Sequence, residues 1–117
     1  MRTVIALLCV LVTGCASLAP VKANWSDKER IAFAASIGAH ALDAGTTIAA
    51  DFDKCREANP IYGSSPSAAS VVAVKLAAIG LEYWLYNSSP ESAHWYGFTS
   101  AVVIGYVGIH NLQQDCY

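Results

Sequence analysis

Three long stretches that carry almost no charge most constrain what this chain can fold into. They cover residues 31–50, 67–86 and 94–114, and their formally charged side chains are Asp43, Lys75 and Glu82. A helix of a soluble bundle turns a charged or polar face to water. Each stretch is also close to the roughly 20 residues that an α-helix needs to cross a bilayer. The pattern therefore favours helices surrounded by lipid, and it leaves a tethered apolar bundle as the alternative.

Capping and breaker residues predict where these helices begin and end. Ser26 stands three residues before Glu29, which is the spacing of a capping box. Pro60 interrupts the helical pattern, Pro66 stands near the next helix start, and a turn is expected over residues 87–91. Short loops make consecutive helices antiparallel neighbours. The predicted fold class is all-α, with three antiparallel helices over about residues 27–52, 66–86 and 93–114.

The first residues of the chain have the pattern of a secretory leader. Met1 and Arg2 form a short positive segment, and residues 3–13 form an apolar segment that is too short to cross a bilayer as a helix. The sequence VTGC at residues 12–15 resembles the lipobox of bacterial lipoproteins. The resemblance implies cleavage before Cys15, a diacylglycerol thioether on its sulfur and an acyl chain on the new N-terminus.

This resemblance divides the chain into a signal peptide (1–14), a lipidated linker (15–26) and a membrane-embedded three-helix bundle (27–117). The alternative is an uncleaved anchor, because residues 3–21 contain no charged side chain and are just long enough to span a bilayer. Cys15 would then be an ordinary thiol. In the lipidated form the acyl chains hold the protein firmly, since each buried methylene contributes about 0.8 kcal/mol.

Polar and ionisable side chains are predicted to converge inside the bundle. Asp43 and Lys75 lie at the same depth when the first two helices run antiparallel, so an ion pair between them is expected. His40 and Thr47 share the helical stripe of Asp43, and Glu82 shares that of Lys75. The predicted buried set is His40, Asp43, Thr47, Lys75, Glu82, Tyr106 and His110. Such a set is either a functional site within the membrane or a device that fixes helix register.

Small residues are expected to let the helices approach one another closely. Gly97, Ala101 and Gly105 repeat every four residues on the third helix. In lipid, where apolar burial gives little drive for association, such rows allow tight backbone packing.

A second resemblance enters at the residues of the predicted ion pair. The sequence DAGTT begins at Asp43, CREANP follows over residues 55–60, and Lys75 lies in the next helix. This pattern over residues 43–75 resembles a family of small multi-helix bacterial membrane proteins of unknown function. The family shows Asp-x-x-Thr-Thr late in one helix, Glu-x-Asn-Pro in the next loop and Lys in the following helix. The resemblance implies a membrane fold and no particular activity, and the lipobox in front departs from the family pattern.

Cys55 and Cys116 follow the first and third helices, so both are expected at the same end of the bundle. A disulfide between them would contribute about 4 kcal/mol through the long loop that it closes, and it needs an oxidising compartment. A lipidated N-terminus on the outer side, followed by three spans, places both thiols in the cytoplasm instead. The disulfide and the three-span topology therefore exclude each other, and the sequence leaves both open.

The predicted function is that of a small lipoprotein or integral membrane protein of the bacterial envelope with a structural or interaction role. The net charge of −2 and the lack of a basic stripe argue against nucleic acid as a partner. We expect no catalysis, catalytic residue, cofactor or metal site. The expected partners are membrane lipid and either another envelope protein or a second copy of the chain. Only 14% of the residues are charged, against about a quarter in soluble domains, which again favours the membrane.

Two other functions are kept as alternatives. One is a transporter- or channel-like subunit that uses the Asp43–Lys75 pair. The other is a phage lysis or superinfection-exclusion factor, since such proteins are often short lipoproteins or short multi-span chains. The expected location is the inner membrane if the helices span it, and the periplasmic face of the outer membrane if Cys15 is the sole anchor.

Overall fold

The computed structural model of this chain describes residues 25–51, 53, 61–62 and 65–114. It contains three α-helices: α1 (Asp27–Ala49), α2 (Ala68–Ser88) and α3 (Pro90–Leu112). Within these residues there is no strand, and the predicted all-α class with three helices is confirmed. The signal peptide, Cys15 and the predicted Cys55–Cys116 disulfide lie outside the described residues.

The first helix begins at the predicted capping box and ends slightly earlier than expected. The Glu29 backbone N–H donates to Ser26 Oγ at 3.4 Å, and the Glu29 carboxylate accepts from the Ser26 backbone N–H. At its other end, α1 stops at Ala49 rather than near residue 52. The Asp51 carboxylate accepts a hydrogen bond from the Asp53 backbone N–H at 3.1 Å, a local turn that competes with helix continuation.

The second helix also has a side-chain cap. Ser67 Oγ accepts from the Ser70 backbone N–H at 3.1 Å. The helix therefore begins at Ala68, two residues after the predicted start at Pro66. Because Ser67 is the N-cap and has extended backbone geometry (φ −76°, ψ 150°), Pro66 lies just outside the helix.

The connection between α2 and α3 is shorter than the predicted turn over residues 87–91. Asn87 Nδ2 donates to the Tyr83 carbonyl at 2.7 Å, and Ser88 Oγ donates to the Trp84 carbonyl at 2.9 Å. These bonds return the Asn87 amide N–H and the Ser88 hydroxyl to carbonyls of α2, which continues to Ser88. After Ser89 alone, α3 starts at Pro90, where the missing N–H costs nothing.

Contacts between side chains give the direction of each helix. On α1 and α2, Ser36 meets Glu82 and Asp43 meets Lys75, so these two helices are antiparallel. The neighbours α2 and α3 are joined by a tight turn and are also antiparallel. Consequently α1 and α3 run in the same direction, and α1 packs against both other helices.

Three glycines bring the backbone of α3 close to α1. A Cβ atom at Gly97 would lie 3.1 Å from the Ala32 carbonyl oxygen, and one at Gly105 would lie 3.8 Å from Ala39 Cβ. At Gly108 the corresponding distance to Leu42 Cγ is 2.9 Å. The row of small residues on α3 therefore lies at the α1–α3 contact.

A small aromatic cluster closes one end of the bundle. The ring centroids of Trp25 and Phe33 are 5.3 Å apart, and those of Trp25 and Tyr86 are 5.0 Å apart. Buried Ala32 and Ala93 complete this core cluster. The cluster joins the start of α1 to the α2–α3 turn.

Candidate functional site: a buried polar seam

Polar side chains line the middle of the bundle interior, and we call them the polar seam. Fully or largely buried polar and charged residues outnumber buried hydrophobic ones among the described residues, which reverses the usual order. The seam runs along α1 between the other two helices. Its members are Ser36, His40, Asp43, Thr46, Thr47, Lys75, Glu82, Ser100 and Asn111.

Asp43 is the centre of one half of the seam. Its Oδ2 atom is paired with Lys75 Nζ, and its Oδ1 atom accepts from Asn111 Nδ2 at 3.2 Å. Asn111 Nδ2 also lies 3.3 Å from Thr46 Oγ1, which donates to the Asp43 carbonyl at 3.0 Å. Both carboxylate oxygens are thus partnered, one by each neighbouring helix.

The other half of the seam is a chain of hydroxyl groups. Ser36 Oγ lies 2.6 Å from Glu82 Oε2 and 3.1 Å from Ser100 Oγ. Ser100 Oγ in turn lies 3.4 Å from His40 Nε2. Glu82 has a relative exposure of 0%, so this carboxyl group is fully enclosed.

Several buried polar atoms in this half lack a hydrogen-bond partner. They are His40 Nδ1, Glu82 Oε1 and Tyr86 Oη. A Cβ atom at Gly97 would lie 2.2 Å from Tyr86 Oη and 3.1 Å from Glu82 Oε1, so the glycine leaves just enough space for both groups. Unsatisfied buried groups of this kind are uncommon and often mark function.

No match to the chain was found among protein-family models, curated proteins or solved structures. The resemblances to lipoproteins and to the small multi-helix family therefore stay predictions.

The structure brings together most of the residues that were predicted to converge. His40, Asp43, Thr47, Lys75 and Glu82 are all buried at the α1–α2 contact or beside it. Asp43 and Lys75 form the ion pair that their shared depth predicts.

The prediction was wrong for the two residues on α3. Tyr106 is 68% exposed, and His110 is exposed beside it, with ring centroids 6.1 Å apart. Gly97 and Gly108 face α1, and at 100° per residue this places Tyr106 and His110 on the opposite side of α3.

Sequence reasoning left Ser100 and Asn111 out of the predicted set. Each lies three residues after a glycine that faces α1, Gly97 and Gly108 respectively, and therefore on the same face of α3. That spacing was the available signal. Thr46 lies within the DAGTT pattern but was not placed in the buried set.

The described residues contain no cluster of three His, Cys, Asp or Glu side chains that could hold a metal ion. The seam holds the ion pair Asp43–Lys75 and two further titratable side chains, Glu82 and His40, which are linked through Ser36 and Ser100.

The outer surface of the bundle is apolar, in contrast with its interior. Val102, at the middle of α3, is 71% exposed. Large exposed hydrophobic residues cover much of α2 and α3; we call them the outer apolar surface, and they are Val72, Leu76, Leu81, Phe98, Val102, Val103, Val107, Ile109 and Leu112. By length and composition, Ala68–Ser88 is the one described helix that passes as a candidate membrane span, with a mean hydropathy of 1.5 over its best 18 residues.

Proposed function

We propose that this chain is a membrane-embedded three-helix protein of the bacterial envelope, with a structural or interaction role and no catalytic activity. The observation that carries the proposal is the inverted distribution of side chains. Charged and polar groups fill the polar seam, whereas the outer apolar surface is exposed. Lipid is the solvent in which this distribution is favourable, because water favours the reverse.

The positions of the exposed charges agree with this proposal. At one end of the bundle lie Asp27, Lys28, Arg30 and Glu91, and Asp51 and Asp53 lie at the other. Between Arg30 and Asp51 the charged side chains of the described helices are buried. The helical part of this interval, from Arg30 to Ala49, rises about 29 Å, close to the roughly 30 Å thickness of a bilayer hydrocarbon core.

Aromatic side chains mark one edge of this charge-free zone. Trp84, Trp95 and Tyr96 are exposed around the α2–α3 turn, at the same end as the charged start of α1. Tryptophan and tyrosine favour the level of the lipid headgroups. The exposure of these rings supports a membrane–water interface at the level of the α2–α3 turn.

The mean hydropathy of a whole helix understates how apolar the outward face is. On α1 the polar residues Ser36, His40 and Asp43 lower the average, yet all three face the seam. Polar groups of membrane helices face the bundle interior in this way. We therefore propose that α1 and α3 cross the membrane together with α2, with a lipidated Cys15 as a second anchor.

The half of the polar seam that is centred on Asp43 fits a structural or interaction role. The Asp43 carboxylate is partnered on both oxygens, by Lys75 and Asn111, so the three helices are locked in one register. A transporter- or channel-like role is the second candidate, and the burial of the Asp43–Lys75 pair favours it. Transport activity that is lost in Lys75→Met while the helices stay folded would select the second candidate.

A charge placed on the outer apolar surface tests the proposal. Val102→Asp puts a carboxylate near the middle of α3, where insertion into lipid costs about 2.5–3.5 kcal/mol. We expect the amount of this variant in the membrane fraction to fall well below that of the matched control Gln113→Asp, which adds the same charge at the helix end. In a water-exposed bundle, both surface changes would be nearly neutral, within about 0.5 kcal/mol. Equal amounts of the two variants would contradict the proposal.

A further inference from the structure

Two buried titratable side chains, Glu82 and His40, stand at the ends of an unbroken path of hydroxyl groups. The links are Glu82 Oε2 to Ser36 Oγ at 2.6 Å, Ser36 Oγ to Ser100 Oγ at 3.1 Å, and Ser100 Oγ to His40 Nε2 at 3.4 Å. Every link lies within hydrogen-bonding distance. The path crosses from α2 through α1 to α3 and returns to α1.

The protons of this path have two consistent arrangements. Each serine hydroxyl carries one proton and can donate a single hydrogen bond. In one arrangement Glu82 holds the extra proton, and both hydroxyls donate towards His40. In the other, the His40 ring holds it, and both hydroxyls donate towards Glu82.

We infer that Glu82 and His40 share one proton through Ser36 and Ser100, so that this half of the polar seam is a proton-transfer site. In the transfer, the O–H bond of Glu82 breaks and its proton moves to Ser36 Oγ. The original Ser36 proton moves to Ser100 Oγ, and the original Ser100 proton moves to His40 Nε2. The products are a Glu82 carboxylate and a His40 imidazolium, both hydroxyl groups are restored, and no other reactant takes part.

The balance of charge in the seam supports this sharing. Asp43 and Lys75 neutralise each other as an ion pair. In the described part of the chain, no cationic side chain forms an ion pair with Glu82. A lone buried carboxylate is costly, so the two arrangements that keep the seam neutral overall are favoured. In both of them one proton resides on either Glu82 or His40.

Other titratable groups surround each end of the path. Near Glu82 lies Tyr86, on the same helix, and Glu29, on α1, acts on Tyr86. Near His40 lie Asp43 and, from α2, Lys75. From α3, the Ser100 hydroxyl faces His40. A negative Asp43 and a positive Lys75 act on the His40 ring with opposite sign, so the two members of the ion pair offset each other in part.

The inference goes beyond the proposed function, because it concerns the interior of the folded bundle and holds whether or not the helices cross a bilayer. Its test therefore uses the full-length protein in detergent micelles. Membrane insertion is tested separately by fractionation, so that either proposal can fail without the other.

The first measurement follows the His40 ring by nitrogen NMR, in protein labelled at histidine and with His40→Gln to assign the signal. In parallel, the infrared band of a protonated carboxylic acid reports on Glu82, assigned with Glu82→Gln. We expect Glu82→Gln to change the protonated fraction of His40 at fixed pH several-fold. The matched control Glu91→Gln, which alters an exposed carboxylate, leaves that fraction unchanged. A protonated fraction that does not respond to Glu82→Gln would overturn the inference.

The second measurement separates transfer along the path from simple electrostatic attraction. Ser100→Ala removes one hydroxyl and keeps both titratable ends, so the proton exchange that broadens the His40 Nε2 signal slows by about 100-fold. Ser100→Thr retains the hydroxyl and restores exchange, and the exposed control Ser92→Ala leaves it unchanged. If proton exchange at His40 Nε2 is as fast in Ser100→Ala as in the unmodified protein, the inference is overturned.

The unmodified protein provides a test that does not depend on the folding of any variant. Exchange at His40 Nε2 must be present, and it must slow when water is replaced by heavy water, because protons move in the transfer. If proton exchange makes no contribution to the His40 Nε2 signal, the inference is overturned.

Discussion

Asp43 receives bonds from both of the other helices. Lys75 on α2 pairs with one carboxylate oxygen, and Asn111 on α3 donates to the other. Because the carboxylate is buried, loss of Lys75 would leave its charge unpaired, and loss of Asn111 would leave one oxygen without a donor. A single side chain thereby sets the relative depth of three helices.

The energetic role of this pair gives a prediction at the residue scale. Lys75→Met leaves a buried carboxylate without its cation, so we expect it to lower the free energy of unfolding by about 3–5 kcal/mol. Adding Asp43→Asn removes the second charge and restores most of that loss, because no lone charge remains. Unfolding of the full-length protein in mixed micelles with added dodecyl sulfate measures both variants. If Lys75→Met is as well tolerated as the exposed control Lys28→Met, the pair contributes little to the fold.

Much of this arrangement could be predicted residue by residue. Helical spacing placed His40 and Asp43 on one stripe, and antiparallel pairing placed Lys75 opposite them. The sequence pattern did not reveal which face of α3 meets α1, so Tyr106 and His110 were assigned to the interior, although both are exposed. Aromatic and imidazole rings are amphipathic, and their polarity alone does not identify a buried face.

At the scale of the helices, α1 is the shared partner of the other two. It presents Ser36, His40 and Asp43 to the seam, and Ala32 and Ala39 lie under the glycines of α3. Helix starts with a capping serine could be read from the sequence, because the cap is a local interaction. The boundary between α2 and α3 could not be read in this way. Asn87 and Ser88 usually favour turns, and here they extend the helix because their side chains donate to backbone carbonyls of the preceding turn.

The close α1–α3 approach gives a prediction at the helix scale. In Gly108→Ala, the added methyl group would lie 2.9 Å from Leu42 Cγ and 3.1 Å from the Asp43 backbone nitrogen. Overpacking of this kind costs about 1–3 kcal/mol, and we expect unfolding at lower denaturant. Gly80→Ala on α2 is the matched control, since no atom lies within 4 Å of its added Cβ. We expect Gly80→Ala to raise the free energy of unfolding by about 0.5–1 kcal/mol through helix propensity alone. If Gly108→Ala is no more destabilising than this control, the close α1–α3 contact is contradicted.

The whole molecule combines a buried polar seam and a small aromatic core with an apolar outer surface, and charged residues lie at both ends of the bundle. The scarcity of charge in the three long stretches predicted that the exterior of the bundle is apolar. The composition of the interior was harder to predict, because Ser100 and Asn111 enter the seam only once α3 is seated on α1. A bundle of this kind is stable where its outer apolar surface meets lipid or a covering partner.

Extraction with alkaline carbonate tests membrane embedding most directly when the proposed lipid anchor at Cys15 is removed. Cys15→Ser with a replacement cleavable signal exports the same helices without acyl chains. We predict that this protein stays in the membrane pellet after carbonate treatment, because the outer apolar surface holds the bundle in the bilayer. Complete release into the supernatant would contradict the account, since the helices would then lie outside the membrane and Cys15 would be the sole anchor.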